Sequence, residues 1–178
     1  MEKDFAKDFE KDSESWVFWF SQVPPLTNEE LEKVYQRSLV KVCEINSLGA
    51  LQKILMHTID AAYLRNKSGY HIFRKNYTPL WEENIDGGSL NVGFDLRTED
   101  VNLIWQRFTQ NCIQGKFSES VIGVSIKSRG TKKQICMWIQ GFDENKEKVS
   151  KEIRELMADE NLMIYASCNR KRLELKHS

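Results

Sequence analysis

Two apolar runs, residues 121–127 and 134–140, flank the polar stretch Ser128-Arg129-Gly130-Thr131-Lys132-Lys133. A polar, glycine-bearing segment between two β-prone runs predicts an antiparallel hairpin, here with a basic tip. The hairpin commits the chain to a sheet, and other elements have to bury one side of it. Three stretches have the spacing to do so: Leu48, Leu51, Leu55, Ile59 and Ala62; Val101, Ile104, Trp105, Phe108 and Cys112; and Val149, Ile153, Leu156 and Met157. Apolar side chains recurring every three or four residues make one helical stripe that seeks a core. Asn46 or Ser47 is placed to cap the first helix, Thr98 with Asp100 to open the second, Gly115 to close it, and Asp143 or Asn145 to cap the third. Thr27 followed by Glu30 reads as a capping box for a further short helix, to about Val34.

More strands are expected at residues 16–20, 38–45, 70–73, 89–96 and 162–168. In the second of these, Leu39, Lys41, Cys43 and Ile45 alternate with Val40, Val42 and Glu44, which puts the two sets on opposite faces. The expected fold is α+β: a curved, mainly antiparallel sheet with three helices on its convex face and the other face free to bind. With 178 residues, 40% hydrophobic and 11% aromatic, the chain has material for one core. The domain is expected to span residues 15–168, between a mobile charged arm at 1–14 and a basic tail at 169–178.

Lys plus Arg and Asp plus Glu number 26 each, so no global field is available to hold a long nucleic acid by counterion release. Any nucleic-acid contact has to be local, and a general single-strand RNA binder is disfavoured. The four cysteines (Cys43, Cys112, Cys136, Cys168) lack metal-knuckle or redox spacing and read as reduced, small hydrophobes of a cytosolic protein. The charged start and the absence of a long apolar run make secretion and membrane insertion unexpected. Catalytic groups are poor: His57 falls on a helix stripe, His71 opens a strand, His177 lies in the tail, and there is no nucleophile elbow, glycine-rich phosphate loop or paired metal ligand set. The chain reads as a non-enzymatic monomer without a cofactor.

Trp81 follows Pro79 in the aperiodic segment Tyr77-Thr78-Pro79-Leu80-Trp81-Glu82-Glu83-Asn84. Two readings are open: an indole plugging the edge of the core, or a stacking platform for a flat cationic ligand, with the neighbouring carboxylate taking two hydrogen bonds from the ligand's edge. The 7-methylguanosine cap has such a base, positively charged with two N–H donors on its Watson–Crick edge. Its triphosphate needs cations, and the hairpin tip has them.

Seven motifs in order from about residue 16 to residue 168 resemble the translation initiation factor 4E family. Trp16-Val17-Phe18-Trp19-Phe20 is similar to the family's Trp-x-x-Trp-Phe strand, Tyr35-Gln36-x-x-Leu39 to its Trp-Gln-x-x-Leu segment, and the run from His71 to Glu83 to its Leu-Phe-Lys…Pro-x-Trp-Glu-Asp. Gly87-Gly88, the helix around Trp105, the Gly123 strand with Lys127-Ser128-Arg129-Gly130, and Trp138 follow in the family's order. The resemblance implies a cap-binding slot on the concave side. Trp81 and Tyr35 would be the two aromatic slices, Glu82 the reader of the guanine edge, and Trp138 the neighbour of the methyl group, unless Trp138 is a core residue. Lys127, Arg129 and one of Lys132 and Lys133 would hold the phosphates.

Departures from the pattern bear on partners. Ser89-Leu90 stands where the family typically has Arg-Trp. The convex surface that the family offers to a 4G-type scaffold or to inhibitory proteins has Glu10-Lys11-Asp12, Gln52 and Gln106 at its aligned positions, while Leu48 survives. A glutamine cannot supply a desolvated aromatic anchor, so a helical partner is expected to bind weakly or by other contacts. A cap-occupying repressor or storage factor is one alternative to an initiation role, and a non-cap RNA-binding or interaction module is another. Arg170-Lys171-Arg172 is either a solvated tail or a contact for the nucleotides after the cap.

Overall fold

The computed structural model describes residues 15–23, 36–95, 101–130 and 132–170. The chain forms β1 (Trp16–Gln22), β2 (Leu39–Ile45), α1 (Leu48–His57), β3 (Ser68–Arg74), β4 (Gly88–Asp95), α2 (Val101–Ile113), β5 (Val121–Arg129), β6 (Lys132–Ile139), α3 (Phe142–Met157) and β7 (Tyr165–Cys168). The strands make one seven-stranded sheet in the order β2-β1-β3-β5-β6-β4-β7, with every neighbouring pair antiparallel. This is the curved sheet with three long helices on one side that the hydrophobic pattern predicts. The expected helix over 27–34, the arm, the cap residues Thr98 and Asp100, and most of the basic tail lie outside the described residues.

Strand alternation divides the sheet's two faces. On the helix side, Phe18, Ile72, Leu90, Val124, Ile126, Ile135 and Met137 meet Leu51, Trp105, Phe108, Val149 and Ile153, all within 1% of complete burial. Each such side chain contributes roughly 1.5–3 kcal/mol by leaving water, which makes this layer the main source of stability. A second, smaller cluster lies on the opposite face: Phe73, Ile122, Cys136 and Trp138, with Tyr77 and Trp81 packed against it.

Local chemistry moves several boundaries from their expected places. The β1–β2 register shifts between Phe18 and Trp19, so Phe18 pairs with Cys43 while Trp19 pairs with Lys41. A bulge inserts one extra residue and reverses the alternation beyond it. Lys41 therefore does not share a face with Cys43 and Ile45 as simple periodicity predicts. The first helix stops at His57, because the Asp60 carboxylate accepts the Ala62 N–H at 2.9 Å and opens a separate 3-10 turn over Ala61–Tyr63. Ile59 is left 67% exposed rather than on the stripe. Ser47 caps α1 by accepting the Ala50 N–H at 3.1 Å.

At α3 the residue before the first turn is Gly141, in the left-handed region at φ 56°, and neither Asp143 nor Asn145 is the cap. Asn145 donates backward from the first turn to the Gln140 and Gly141 carbonyls, each at 3.0 Å. The chain leaving α3 turns through Asp159, whose carboxylate accepts the Asn161 N–H, so β7 starts at Tyr165 instead of residue 162. The hairpin strands run further than composition alone indicates, β5 to Arg129 and β6 from Lys132.

Candidate functional site

The second cluster is built on a missing side chain. A Cβ on Gly123 would lie 2.6–2.7 Å from three atoms of the Phe73 ring, so only glycine lets that ring settle on β5. Phe73 then meets Trp138 edge to face, with centroids 5.4 Å apart and planes at 66°. Trp138 is 4% exposed, and its indole N–H donates to the Ser125 hydroxyl at 3.1 Å. The question of whether Trp138 is core or site has a physical answer: it is buried, but on the sheet face away from the helices.

Trp81 packs against this cluster from a 3-10 turn, Trp81–Glu83. Buried Asn84 holds the turn by donating from Nδ2 to the Thr78 carbonyl at 3.0 Å and the Leu80 carbonyl at 2.7 Å. Its own carbonyl accepts the Gly87 N–H at 2.9 Å and Nδ2 of fully buried Asn169 at 2.9 Å. Thr78 also donates to Glu83. With Glu83 occupied inside the turn, Glu82 is the acid left beside the aromatic cluster. Its Oε2 is buried and has no hydrogen-bond partner among the described residues. A buried carboxylate oxygen without a donor is costly, about 1–3 kcal/mol or more for a charged group. An incoming N–H relieves it.

The cations line up along the same face. Lys127 Nζ lies 5.4 Å from the Trp138 ring centroid. Arg129 and Lys132 are directly paired across the β5–β6 ladder and exposed. Register puts Lys127, Arg129 and Lys132 on the Trp138 face, since opposed residues share a face and every second residue repeats it. Lys133 departs from the phosphate role considered for it. It is 2% exposed on the helix face, and its ammonium donates to the Leu64 carbonyl and the Ser128 hydroxyl, both at 2.7 Å. Burial lowers its pKa. Tyr35 lies outside the described residues.

Ser89 pairs with Trp138 in the β4–β6 ladder, is 4% exposed and accepts Asn91 Nδ2 at 3.2 Å. On the convex side Leu48 is half-buried against the core, Gln106 is half-buried and Gln52 is exposed, with Met56, Ile59 and Tyr63 exposed nearby in sequence. No helix among the described residues is long and apolar enough to cross a membrane.

The family model described as Eukaryotic initiation factor 4E matches residues 13–177. The chain belongs to the eukaryotic initiation factor 4E family. Curated relatives include eukaryotic translation initiation factor 4E type 1B of Mus musculus, 24% identical over 69% of this chain and 51% of that protein. Another is the initiation factor 4E of Eremothecium gossypii, 26% identical over 75% of this chain and 65% of that protein. The chain thus spans between half and two thirds of these relatives' length. Among solved structures, Ascaris suum eIF4E-3 with the m2,2,7G cap superposes with a TM-score of 0.74 at 18% identity, covering 85% of this chain and 87% of that one. Caenorhabditis elegans eIF4E-3 with the 4E-binding protein Mextli and cap analog superposes with a TM-score of 0.78 at 16% identity, covering 90% and 93%. At such identities the likeness is one of fold.

Within this initiation factor 4E fold, several contributors to the site went unread in the sequence. Asn84 and Asn169 are 85 residues apart, and nothing local marks them as partners. Gly123 was visible as a motif glycine, but its function as a seat for Phe73 depends on strand pairing. Gly88 is similar: a Cβ there would lie 2.2 Å from the Phe142 ring, which lets α3 start against β4 beside the Trp81 turn.

Proposed function

We propose that this protein binds the 7-methylguanosine 5′ cap of mRNA, without catalysis, in the service of translation. The observation that carries the reading is the buried Glu82 Oε2 next to Trp81, without a donor among the described residues, on the side of the sheet where Trp138 and a run of cations lie. The methylated base would stack on Trp81, with Tyr35 as the second slice that the family resemblance implies. Glu82 would accept N1–H and the 2-amino group, and Trp138 would approach the methyl group. Lys127, Arg129 and Lys132 would carry the triphosphate toward the hairpin tip. Each aromatic–base stack contributes about 1–3 kcal/mol, and a desolvated cation–π contact up to about 2 kcal/mol more.

Unmethylated guanine retains the edge hydrogen bonds and loses the cation. GTP is therefore expected to bind on the order of a hundredfold more weakly than 7-methyl-GTP. The test is a tryptophan-fluorescence titration with both nucleotides, repeated on Trp81→Ala and Glu82→Ala. Quenching by the methylated nucleotide that both substitutions abolish is the expected result, and equal affinity for the two nucleotides refutes the sandwich.

A second reading concerns the outcome of binding. Exposed Gln52 and half-buried Gln106 on the convex side favour a cap-occupying repressor or storage factor over one that recruits a 4G-type scaffold by the family's aromatic anchor. Pull-down of a scaffold peptide by this chain with the affinity of its relatives would remove that reading.

A further inference from the structure

A line of buried hydrogen bonds links four strands, β6, β5, β3 and β1, beneath the slot. Trp138 Nε1–H donates to Ser125 Oγ at 3.1 Å, Ser125 Oγ lies 2.8 Å from His71 Nδ1, and His71 Nε2 lies 2.8 Å from Ser21 Oγ. Ser125 and His71 are fully buried, and Ser21 and Trp138 are 3% and 4% exposed. The register explains the alignment: His71 is opposite Ser125 in the β3–β5 ladder, while Ser21 and Trp138 are one diagonal step to either side. No feature of the core requires a histidine here, because the helix-side layer is complete without it.

The proton inventory assigns roles along this line. Ser125 has one proton, and its oxygen already accepts from Trp138. Being fully buried, that proton needs an acceptor, and His71 Nδ1 is the atom within reach. The imidazole is then the neutral Nε2–H tautomer, which donates to Ser21. Burial and the nearby Lys127 charge both hold His71 well below the ordinary histidine range, in keeping with a neutral ring.

We infer that His71 and Ser125 are positioning residues for the cap slot: the neutral His71 draws the Ser125 proton away from Trp138, so that the serine oxygen fixes the indole plane against which the cap's methyl group and Lys127 are placed. The inference rests on the cap-binding reading. Phe73 constrains the indole from one side by an apolar edge contact, which permits rotation about the ring's long axis, whereas the hydrogen bond selects one orientation. A neutral relay also keeps a second positive charge from beneath a ring that the cationic base has to approach.

The test uses the full chain labelled with 15N-tryptophan, whose five indole N–H signals are resolved and assigned with Trp138→Phe. In the unaltered protein the Trp138 signal is expected downfield and slow to exchange with solvent; a rapidly exchanging signal overturns the relay without any variant. Ser125→Ala and His71→Leu are expected to move that signal upfield and to weaken 7-methyl-GTP roughly fivefold to tenfold, with no further loss when combined. His71→Asn, whose amide oxygen stands in for Nδ1, is expected to restore both the signal and the affinity. A Ser125→Ala protein that binds 7-methyl-GTP like the unaltered chain overturns the positioning role. Failure of the cap-binding reading is distinguishable, because the unaltered chain then ignores 7-methyl-GTP while the indole signal still reports whether the relay exists.

Discussion

Replacing each of two adjacent lysines by alanine is expected to give opposite phenotypes, and the structure sets the size of both. The Lys133 ammonium makes two hydrogen bonds of 2.7 Å, to the Leu64 carbonyl and the Ser128 hydroxyl, with the side chain almost wholly out of water. Charge-assisted bonds contribute about 1.5–3 kcal/mol each, offset by the desolvation of a buried ammonium, so Lys133→Ala is expected to lose about 2–4 kcal/mol of stability. For a domain of this size that corresponds to a fall of about 4–16 °C in Tm. Lys132 is exposed and pairs with Arg129 on the slot face. Lys132→Ala is expected to change stability by less than about 0.5 kcal/mol, and to weaken 7-methyl-GTP by about 1–2 kcal/mol, roughly fivefold to thirtyfold at low salt. That second loss is expected to shrink as ionic strength rises. Urea denaturation and fluorescence titration on the two variants measure both quantities. A Lys133→Ala protein of normal stability and reduced affinity, or a Lys132→Ala protein of normal affinity, would refute the face assignment.

Gly123→Ala is expected to push the Phe73 ring off β5 and destabilise the fold by about 1–3 kcal/mol while weakening 7-methyl-GTP, because the new methyl would lie 2.6–2.7 Å from ring atoms that support Trp138; urea denaturation at unchanged stability would contradict this. His71 has a folded pKa lowered from 6.5 by burial first and Lys127 second, so its contribution is complete above the unfolded value and is lost as pH falls below about 6.5. The slope is expected to approach about 1.4 kcal/mol per pH unit once the unfolded histidine is protonated, and denaturation of His71→Asn between pH 6.5 and 5.5 is expected to lack it.

The fold was legible because its signals are periodic and local. Helical stripes at Leu51, Trp105 and Val149, and the hairpin runs around Gly130, each specify an element and the face it buries. Boundaries failed where a single side chain competed with the backbone, as Asp60 does at the end of α1, or where a bulge reset a strand, as between Phe18 and Trp19. The candidate site was visible as residue types, an aromatic beside an acid and a basic tip, but not as register. Choosing between Lys132 and Lys133 requires the ladder with β5, since a shift of one residue sends a side chain through the sheet. His71 looked like an unremarkable strand histidine, because the groups that give it meaning, Ser21 and Ser125, lie 50 and 54 residues away.

The clasp between Asn169 and the Trp81 turn also bears on when the protein becomes competent during its own synthesis. Asn169 Nδ2 and N–H hold the Asn84 and Gly87 carbonyls, and Cys168 to Tyr165 close the free side of β4. A nascent chain that has emerged from the ribosome only as far as β6 can pair β1, β3, β5 and β6, yet it lacks the Asn169 brace behind the acidic turn. On the proposed cap-binding reading, recognition by Trp81 and Glu82 would mature only after most of the sheet is in place, and a partly made chain would be kept from engaging the message that encodes it.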